Sequence, residues 1–224
     1  MVELAPETLL APLDLEKVFG RVAPLQVDLG CGDGSFLCEL ARRYSEKNFL
    51  GIERLSGRVE KACRKASVSQ AGGMIDIGAG RSRATTTGKP ARVGEPGGES
   101  INVRVLKIET SYAVRYLLPE RSVEAFYLLF PDPWPKRRHH RRRIVTLEFL
   151  DSIHAALEEN SLFHIATDHL DYFQQIKRLA QVSAGFDLID RSDLELPLTK
   201  FEKRFRAQGA PIYRLSLRKI SPVM

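Results

Sequence analysis

Short apolar segments alternate with amphipathic segments along most of the chain, and this alternation restricts the fold more than any other feature. Strands are predicted at 24–29, 48–53, 101–108, 123–130, 161–167, 186–190 and 211–217, and helices at 34–44, 56–68, up to Leu118, 144–159 and 169–182. Helices separate the first five strands, which favours right-handed crossovers. We therefore predict an α/β fold with a doubly wound, seven-stranded, mostly parallel sheet. The last two strands lack a full helical crossover, so one of them is expected to run antiparallel.

The length of 224 residues suits one hydrophobic core, and we expect a single domain over 1–224. Residues 71–100 hold eight of the sixteen glycines, which predicts a flexible surface insertion. An extension without function is the favoured interpretation of this segment, and ordering of its basic residues on RNA is the alternative.

Composition excludes several classes of protein. No segment approaches the roughly 18–20 apolar residues of a membrane span, and the N-terminus lacks the layout of a signal peptide. A cytosolic protein without membrane association is expected. The three cysteines, Cys31, Cys38 and Cys63, lack the paired spacing of zinc sites, so we expect reduced thiols and no metal.

A glycine-rich turn, D-L-G-C-G-D-G, follows the first predicted strand and contains Asp28, Gly30, Gly32 and Gly34. Glycines in such a turn let backbone N–H groups approach a ligand. A dinucleotide fingerprint would need glycine at position 35, where the chain has Ser35. The shorter spacing after an acid favours a cofactor without a pyrophosphate. S-adenosylmethionine fits, because carboxylates attract its cationic groups.

Acids also end the next two predicted strands. Glu53 lies where doubly wound nucleotide-binding folds hold ribose hydroxyls with an acidic side chain. Glu109 follows the third strand, on the side where an adenine would lie. Together with Asp28, these acids predict an S-adenosylmethionine site at one edge of the sheet. A dinucleotide-binding or non-binding Rossmann-like domain is the alternative.

The most basic segment, FPDPWPKRRHHRRRIV at 130–145, follows the fourth predicted strand. Its prolines restrict the backbone at Asp132 and Trp134 and so pre-position both side chains. The net charge of the chain is +6, and positions 136–143 alone hold six Lys and Arg residues. We interpret this run as a phosphate-binding patch for RNA. A solvated helix start or a localisation signal is the alternative from composition.

The acid in this loop favours a particular acceptor. Guanine N7 has an in-plane lone pair and loses no proton on methylation, so the reaction needs alignment and stabilisation of the cationic product ring. A fixed carboxylate such as Asp132 can supply that stabilisation or hold the amino group of the cofactor. Trp134 either buttresses the loop or stacks on a base.

The chain resembles the bacterial-type tRNA (guanine-N7-)-methyltransferases. The resemblance rests on VDLGCGDGSF, FLGIE, FPDPWPKRRHHRRRI, FHIATDH and TKFEKRF, which together span nearly the whole chain. It implies a Rossmann-like class I S-adenosylmethionine-dependent methyltransferase fold, with tRNA as substrate, a guanine of the variable loop as acceptor and no obligate protein partner. Position 28 carries Asp where the family commonly has Glu, and position 109 carries Glu where Asp or Asn is usual.

The resemblance also implies roles for individual residues. Cofactor contacts are implied for Asp28, Gly30, Gly32, Gly34, Glu53, Glu109 and Asp132, with Asp132 catalytic. Contacts with the guanosine or tRNA are implied for Lys136, Arg138, His139, Asp168, Thr199, Lys200, Phe201 and Glu202. From their pattern alone, Asp168 and Thr199 would cap helices and Phe201 would pack inward.

Two other functions remain open at this point. One is an S-adenosylmethionine-dependent methyltransferase that acts on another RNA base or on a protein nitrogen. The other is a non-catalytic RNA-binding module on a degenerate methyltransferase fold. Degeneration would have removed Asp28, the glycines, Glu53 or Asp132, and all of them are present.

Overall fold

An eight-stranded sheet forms the centre of the protein in the computed structural model, which describes residues 2–70, 102–189 and 195–220. The strands are β1 (Glu3–Leu4), β2 (Leu25–Leu29), β3 (Asn48–Glu53), β4 (Val103–Lys107), β5 (Val123–Leu129), β6 (Leu157–Thr167), β7 (Phe186–Ile189) and β8 (Tyr213–Lys219). Their order across the sheet is β1-β4-β3-β2-β5-β6-β8-β7. The predicted insertion at 71–100 lies outside the described residues.

Strand direction confirms the predicted α/β class. Every neighbouring pair from β1 to β6 is parallel, and β8 runs antiparallel to both β6 and β7. The predicted count of seven strands is wrong by one, because β1 adds a two-residue edge strand beside β4. A strand of two residues is too short to produce an alternating pattern in the sequence.

Helices cover both faces of the sheet: α1 (Leu15–Phe19), α2 (Ser35–Arg43), α3 (Ser56–Gln70), α4 (Thr110–Tyr112), α5 (Leu147–Ala156), α6 (Leu170–Val182) and α7 (Lys200–Ala207). A π-helical turn, Ala113–Leu117, continues α4, and a 3-10 helix, Arg137–Arg142, precedes α5. The helix predicted at 144–159 is shorter, because the Thr146 hydroxyl caps α5 and β6 begins immediately after it. No helix of the described segments has the length and apolar character to span a membrane.

Two apolar layers enclose the sheet. On one face, Leu150 and Ile153 of α5 pack with Phe126 and Phe163 of the sheet. On the other face, residues of α2 and α3 pack with Phe49. All residues of β2 and β3 are buried, as expected for central parallel strands covered on both faces. The carboxyl ends of the strands are therefore where a ligand can reach the sheet.

A row of in-register residues crosses the sheet through Gly51, Asp28, Tyr127, His164 and Ser216. The Tyr127 ring stacks on His164 with centroids 5.3 Å apart, and the Nδ1 atom of His164 lies 2.9 Å from the Ser216 hydroxyl. The Tyr127 hydroxyl donates to Oε1 of Gln26 at 2.9 Å, so Tyr127 and His164 both have polar partners other than Asp28.

The turn between β2 and α2 should not tolerate a side chain at Gly34. This residue has φ +72°, and an added Cβ would lie 2.8 Å from the Cβ of Ala62 on α3. Because a left-handed backbone costs about 1–2 kcal/mol for an L-residue and overpacking costs about 1–3 kcal/mol, we expect Gly34→Ala to destabilise the fold by about 2–5 kcal/mol. Thermal unfolding measures this change.

Gly57→Ala is the matched control, because Gly57 lies in the first turn of α3 with no atom within 4 Å of an added Cβ. The control should be neutral or slightly stabilising. Equal effects of the two substitutions would contradict the proposed clash.

Candidate active site

A groove of about 880 Å³ opens at the carboxyl edge of the sheet. Three of the predicted acids line it, Glu53, Glu109 and Asp132, together with Gly30 of the glycine turn. They follow or end β3, β4, β5 and β2, which are neighbours in the sheet. The volume lies within the range of small-molecule sites. The structure therefore brings together acids that are up to 79 positions apart in the sequence.

The glycine turn has the backbone that its sequence predicts. Gly30, Gly32 and Gly34 have φ values of +74°, +57° and +72°, in the left-handed region that favours glycine. The N–H groups of Gly30 and Cys31 donate to the Ile52 carbonyl at 2.8 and 3.0 Å. These bonds hold the turn against the end of β3.

Glu53 is a buried carboxylate fixed by backbone donors. Its Oε1 accepts from the N–H groups of Arg54 and Leu55, both at 2.9 Å, and its Oε2 accepts from Gly32 at 3.2 Å. The Arg58 guanidinium lies 3.7 Å from Oε2. The side chain thus has a defined position on the groove wall before any ligand binds.

Asp28 is buried, with an exposed fraction of 4%. No other side chain or N–H group of the described residues hydrogen-bonds its carboxyl group, which sets it apart from Glu53 and Asp33. Burial raises the pKa of Asp28 to about 7, and the charge of Glu53 adds to the increase. Glu53 has Arg58 nearby, but no ion pair of the described residues includes Asp28. A buried carboxyl group without a cation of its own is complementary to a cationic ligand. The site therefore fits the sulfonium and ammonium groups of S-adenosylmethionine.

Glu109 has a structural bond in addition to its place on the groove wall. Its side chain accepts from the N–H of Tyr112 at 2.8 Å and so caps α4. The residue is otherwise exposed to the groove. A ligand contact at Glu109 remains a prediction.

The loop after β5 presents Asp132 between two residues with left-handed backbones. Phe130 has φ +57° and Trp134 has φ +43°, each a conformation that costs about 1–3 kcal/mol in a non-glycine residue. Phe130 is held by its N–H bond of 2.7 Å to the Ala166 carbonyl. Such conformations persist only where surrounding contacts enforce them, and they cluster at functional sites.

The Trp134 ring has two charged or polar neighbours from the basic run. The Arg142 guanidinium lies over the ring at 4.9 Å from its centroid, and His139 meets it edge-on at 5.9 Å. Cation–π contacts of this kind stabilise the loop. Of the two roles considered for Trp134, these contacts support the buttress.

The basic run does not form one uniform patch. Lys136, Arg137 and Arg138 are exposed, and Arg141 and Arg142 line the groove. Arg143 is buried, with an exposed fraction of 3%. Five of the six Lys and Arg residues are thus accessible to a polyanion, and the sixth is not.

Two helix-cap predictions have different outcomes. Thr199 caps α7 as predicted, since its hydroxyl accepts from the N–H of Glu202 at 3.0 Å. The prediction that Asp168 caps α6 is wrong. His169 occupies the cap position, and its Nδ1 atom accepts from the N–H of Tyr172 at 3.4 Å. The cap is one residue later because α6 begins at Leu170.

The prediction that Phe201 packs inward is also wrong, because this side chain is 47% exposed. Its ring lies 6.4 Å from the Phe130 ring of the Asp132 loop. Glu202 is buried instead, and its Oε1 accepts hydrogen bonds from Arg206 and Arg214. The two guanidinium groups compensate a buried charge that the sequence pattern alone would place on the surface.

Lys200 connects α7 to the glycine turn. Its ammonium group contacts the Asp33 carboxylate, which also lies 2.5 Å from the Nζ atom of Lys65. Burial raises the pKa of Asp33, but the hydrogen bonds from Lys200 and Lys65 outweigh this and hold the pKa below its usual range. Sequence reasoning missed Asp33, whose only signal was its position between two glycines.

The predicted substrate residues are therefore only partly brought together. Phe201 contacts Phe130 of the groove wall, and Lys200 contacts Asp33 of the glycine turn. The lining formed by described residues includes neither Asp168 nor Glu202. Within the same segments, no group of three or more His, Cys, Asp and Glu residues is arranged to hold a metal ion.

Comparison with known proteins agrees with this architecture. Residues 22–215 match a family described as putative methyltransferase. A tRNA (guanine-N(7)-)-methyltransferase of Vibrio cholerae is 34% identical over 215 residues, which cover 92% of this chain and 77% of the relative. The Thermotoga maritima enzyme of the same name is 31% identical over 93% of this chain, and the match spans 58% of that relative.

Solved structures with low sequence identity share the fold alone. An aminoglycoside resistance methyltransferase has a TM-score of 0.54 with 14% identity and 92% coverage of both chains. An S-adenosylmethionine-dependent O-methyltransferase of Thermotoga maritima has a TM-score of 0.53 with 13% identity, covering 94% of this chain and 64% of the other.

Replacing Asp28 with Asn should stabilise the ligand-free protein at pH 8 and change its stability little at pH 4. The pKa of Asp28 rises from 3.8 to about 7 on folding, so the ionised carboxylate destabilises the folded protein. This destabilisation grows as the pH rises from 3.8 to about 7 and stays constant at higher pH. We expect Asp28→Asn to add about 2 kcal/mol at pH 8, or roughly 4–8 °C in Tm. Thermal unfolding at both pH values measures this effect.

Asp33→Asn is a control of opposite sign. The pKa of Asp33 is lowered in the fold, so its ionised form stabilises the protein above pH 4 and the Asn variant should melt earlier at pH 8. A lower Tm for Asp28→Asn at pH 8 would mean that the Asp28 carboxylate is stabilised in the ligand-free protein.

Proposed function

The chain belongs to the tRNA (guanine-N(7)-)-methyltransferase family, and on that premise we propose that it methylates N7 of a guanine in the variable loop of tRNA, with S-adenosylmethionine as methyl donor. The observation that carries the proposal is the position of Asp132, which borders the same groove as Glu53 and Glu109. A strained, proline-flanked loop presents this carboxylate beside the acids proposed to hold the donor.

Four acids and the glycine turn would hold the donor. S-adenosylmethionine supplies a methyl group bonded to a positively charged sulfur, which makes that methyl electrophilic. The buried Asp28 carboxyl would attract a cationic end of the molecule, and Glu53 would accept hydrogen bonds from the ribose hydroxyls. Glu109 would lie on the adenine side. The absence of side chains at Gly30, Gly32 and Gly34 permits close approach of a ligand to the turn.

Asp132 is the proposed catalytic residue. Guanine N7 has no proton to lose, so the reaction requires no general base. The carboxylate would orient the reactants and stabilise positive charge that develops on the guanine ring. Its flanking prolines, Pro131 and Pro133, reduce the backbone freedom that must be lost in reaching the reactive arrangement.

The tRNA would bind on the side of the 3-10 helix and α7. The exposed bases Lys136 and Arg138 would contact backbone phosphates, with His139 beside them. We propose that Asp168 and residues 199–202 position the guanosine. The exposed Phe201 ring supports this proposal, since single-stranded RNA bases are commonly held by stacking on aromatic side chains.

Incubation with bulk tRNA and methyl-labelled S-adenosylmethionine tests the proposed function. The wild-type protein should place the label in 7-methylguanosine, identified by nucleoside analysis after digestion. Asp132→Ala should lower kcat by at least about 100-fold, because the charge that develops in the transition state loses its carboxylate. Circular dichroism and equilibrium binding of S-adenosylhomocysteine report whether the variant remains folded.

Label in another nucleoside would show that the acceptor is a different RNA atom and not guanine N7. Label in protein would indicate a protein nitrogen, and no label would favour a non-catalytic RNA-binding module. If Asp132→Ala kept wild-type activity, Asp132 would have no catalytic role.

Replacement of Lys136 and Arg138 by Ala should weaken tRNA binding and reduce its dependence on salt. Each lost phosphate contact lowers the slope of log K against log[salt] by about 0.7–0.9, so the double variant should lose roughly 1.4–1.8. Filter binding across a salt series measures the slope.

The matched control is Lys177→Ala with Arg178→Ala, which removes the same charge from exposed positions of α6. This control should leave the slope nearly unchanged. Equal slopes for both double variants would contradict a phosphate patch at the 3-10 helix.

A further inference from the structure

Arg143 differs from every other base of the run that contains it. All of Arg141, Arg142 and Arg143 border the groove, but the Arg143 side chain is only 1% exposed, whereas Arg141 and Arg142 are exposed. A guanidinium group without access to solvent cannot bind a phosphate of a large substrate. The role of Arg143 must therefore be sought among the groups that it contacts inside the protein.

The Arg143 guanidinium joins two separate segments. Its Nε donates to the Pro133 carbonyl at 2.7 Å, in the loop that follows β5. Its Nη2 donates to Asp171 at 2.7 Å and its Nη1 donates to Gln175, both on α6. The group also lies over the Tyr172 ring, 4.8 Å from the centroid. One side chain thus links the Asp132 loop to the first two turns of α6.

This arrangement requires arginine. The planar guanidinium directs N–H groups in several directions at once, whereas an ammonium group on a flexible stem is a point charge that cannot satisfy the same three acceptors in their fixed positions. Leaving the acceptors unpaired after removal of the buried cation would also cost free energy. The geometry therefore specifies the residue type and not only its charge.

One of the segments that Arg143 links carries the proposed catalytic residue, and the other follows a residue proposed to position the guanosine. Pro133 directly follows Asp132, and α6 begins two residues after Asp168. The strands that lead into these segments, β5 and β6, are adjacent and parallel, so both segments leave the sheet at the same edge. The bond to Pro133 also lies between Phe130 and Trp134, whose left-handed backbones need external contacts to persist.

We propose that Arg143 is a positioning residue for methyl transfer, which fixes the Asp132 loop relative to α6 and so sets the distance between the donor and guanosine sides. The inference rests on the proposed function. Because a displacement of about 1 Å in a reacting group can cost about 100-fold in rate, loss of this link should lower kcat more than it weakens binding.

The test compares Arg143→Met and Arg143→Lys with the wild-type protein in single-turnover and steady-state assays. Arg143→Met should lower kcat about 100-fold, while the Kd values for S-adenosylhomocysteine and for tRNA change less than about threefold. Arg143→Lys should recover part of the lost rate, because it keeps the cation but makes fewer of the bonds.

Arg141→Met provides the contrast, since it removes an exposed arginine two positions away. It should raise the Kd and KM for tRNA and reduce the salt slope. If Arg143→Met shows this same signature, Arg143 is a phosphate ligand and the inference is overturned. Wild-type kcat in Arg143→Met with a lowered Tm would also overturn it, because the residue would then be structural only.

Two further variants keep the inference testable if Arg143→Met does not fold. Asp171→Asn and Gln175→Leu each remove one α6 partner and leave Arg143 in place, and the Asp171 side chain is 55% exposed. Each should lower kcat several-fold at unchanged tRNA Kd, and wild-type kcat in both would overturn the inference. Failure of the wild-type protein to form 7-methylguanosine would refute the proposed function, whereas normal product formation by these variants would refute only the role of Arg143.

Discussion

The hydrogen bonds between the glycine turn and the end of β3 are the contacts on which the rest of the candidate site depends. Gly30 and Cys31 donate to the Ile52 carbonyl, and Gly32 donates to Glu53. These bonds fix the end of β2, which carries Asp28, against the end of β3, which carries Glu53. The same turn carries Asp33, whose contact with Lys200 brings α7 to the cofactor side. A backbone feature that requires glycine therefore organises both the donor side and part of the proposed substrate side.

Charge compensation distinguishes structural from functional groups in this protein. Buried Arg143 is paired with Asp171, and buried Glu202 is paired with two arginines. Asp28 lies equally deep, but no ion pair of the described residues includes it, and burial together with the charge of Glu53 raises its pKa. A fold tolerates such an arrangement where binding a cation recovers the lost free energy. This difference is the physical basis for the proposal that Asp28 faces a cationic ligand.

Local patterns predicted the fold and the acids of the groove well. The strand at 48–53 and the Thr199 cap depend on nearby residues alone, and both are present as predicted. The errors have tertiary causes. Glu202 is buried because Arg214 reaches it from β8, and Arg143 is buried because α6 supplies its partners. No pattern within the basic run separates Arg143 from its neighbours, since the difference arises on another helix.

The position of β8 has a consequence for how the chain is made. This strand, Tyr213–Lys219, lies between β6 and β7 although it comes last of the three in the sequence. During synthesis, one edge of β6 remains without its partner until both β7 and β8 have been made. Exposed edges of this kind template aggregation, and pairings between distant segments form slowly. The nascent protein is therefore most vulnerable in the interval when β6 has been made and the strand that protects it has not.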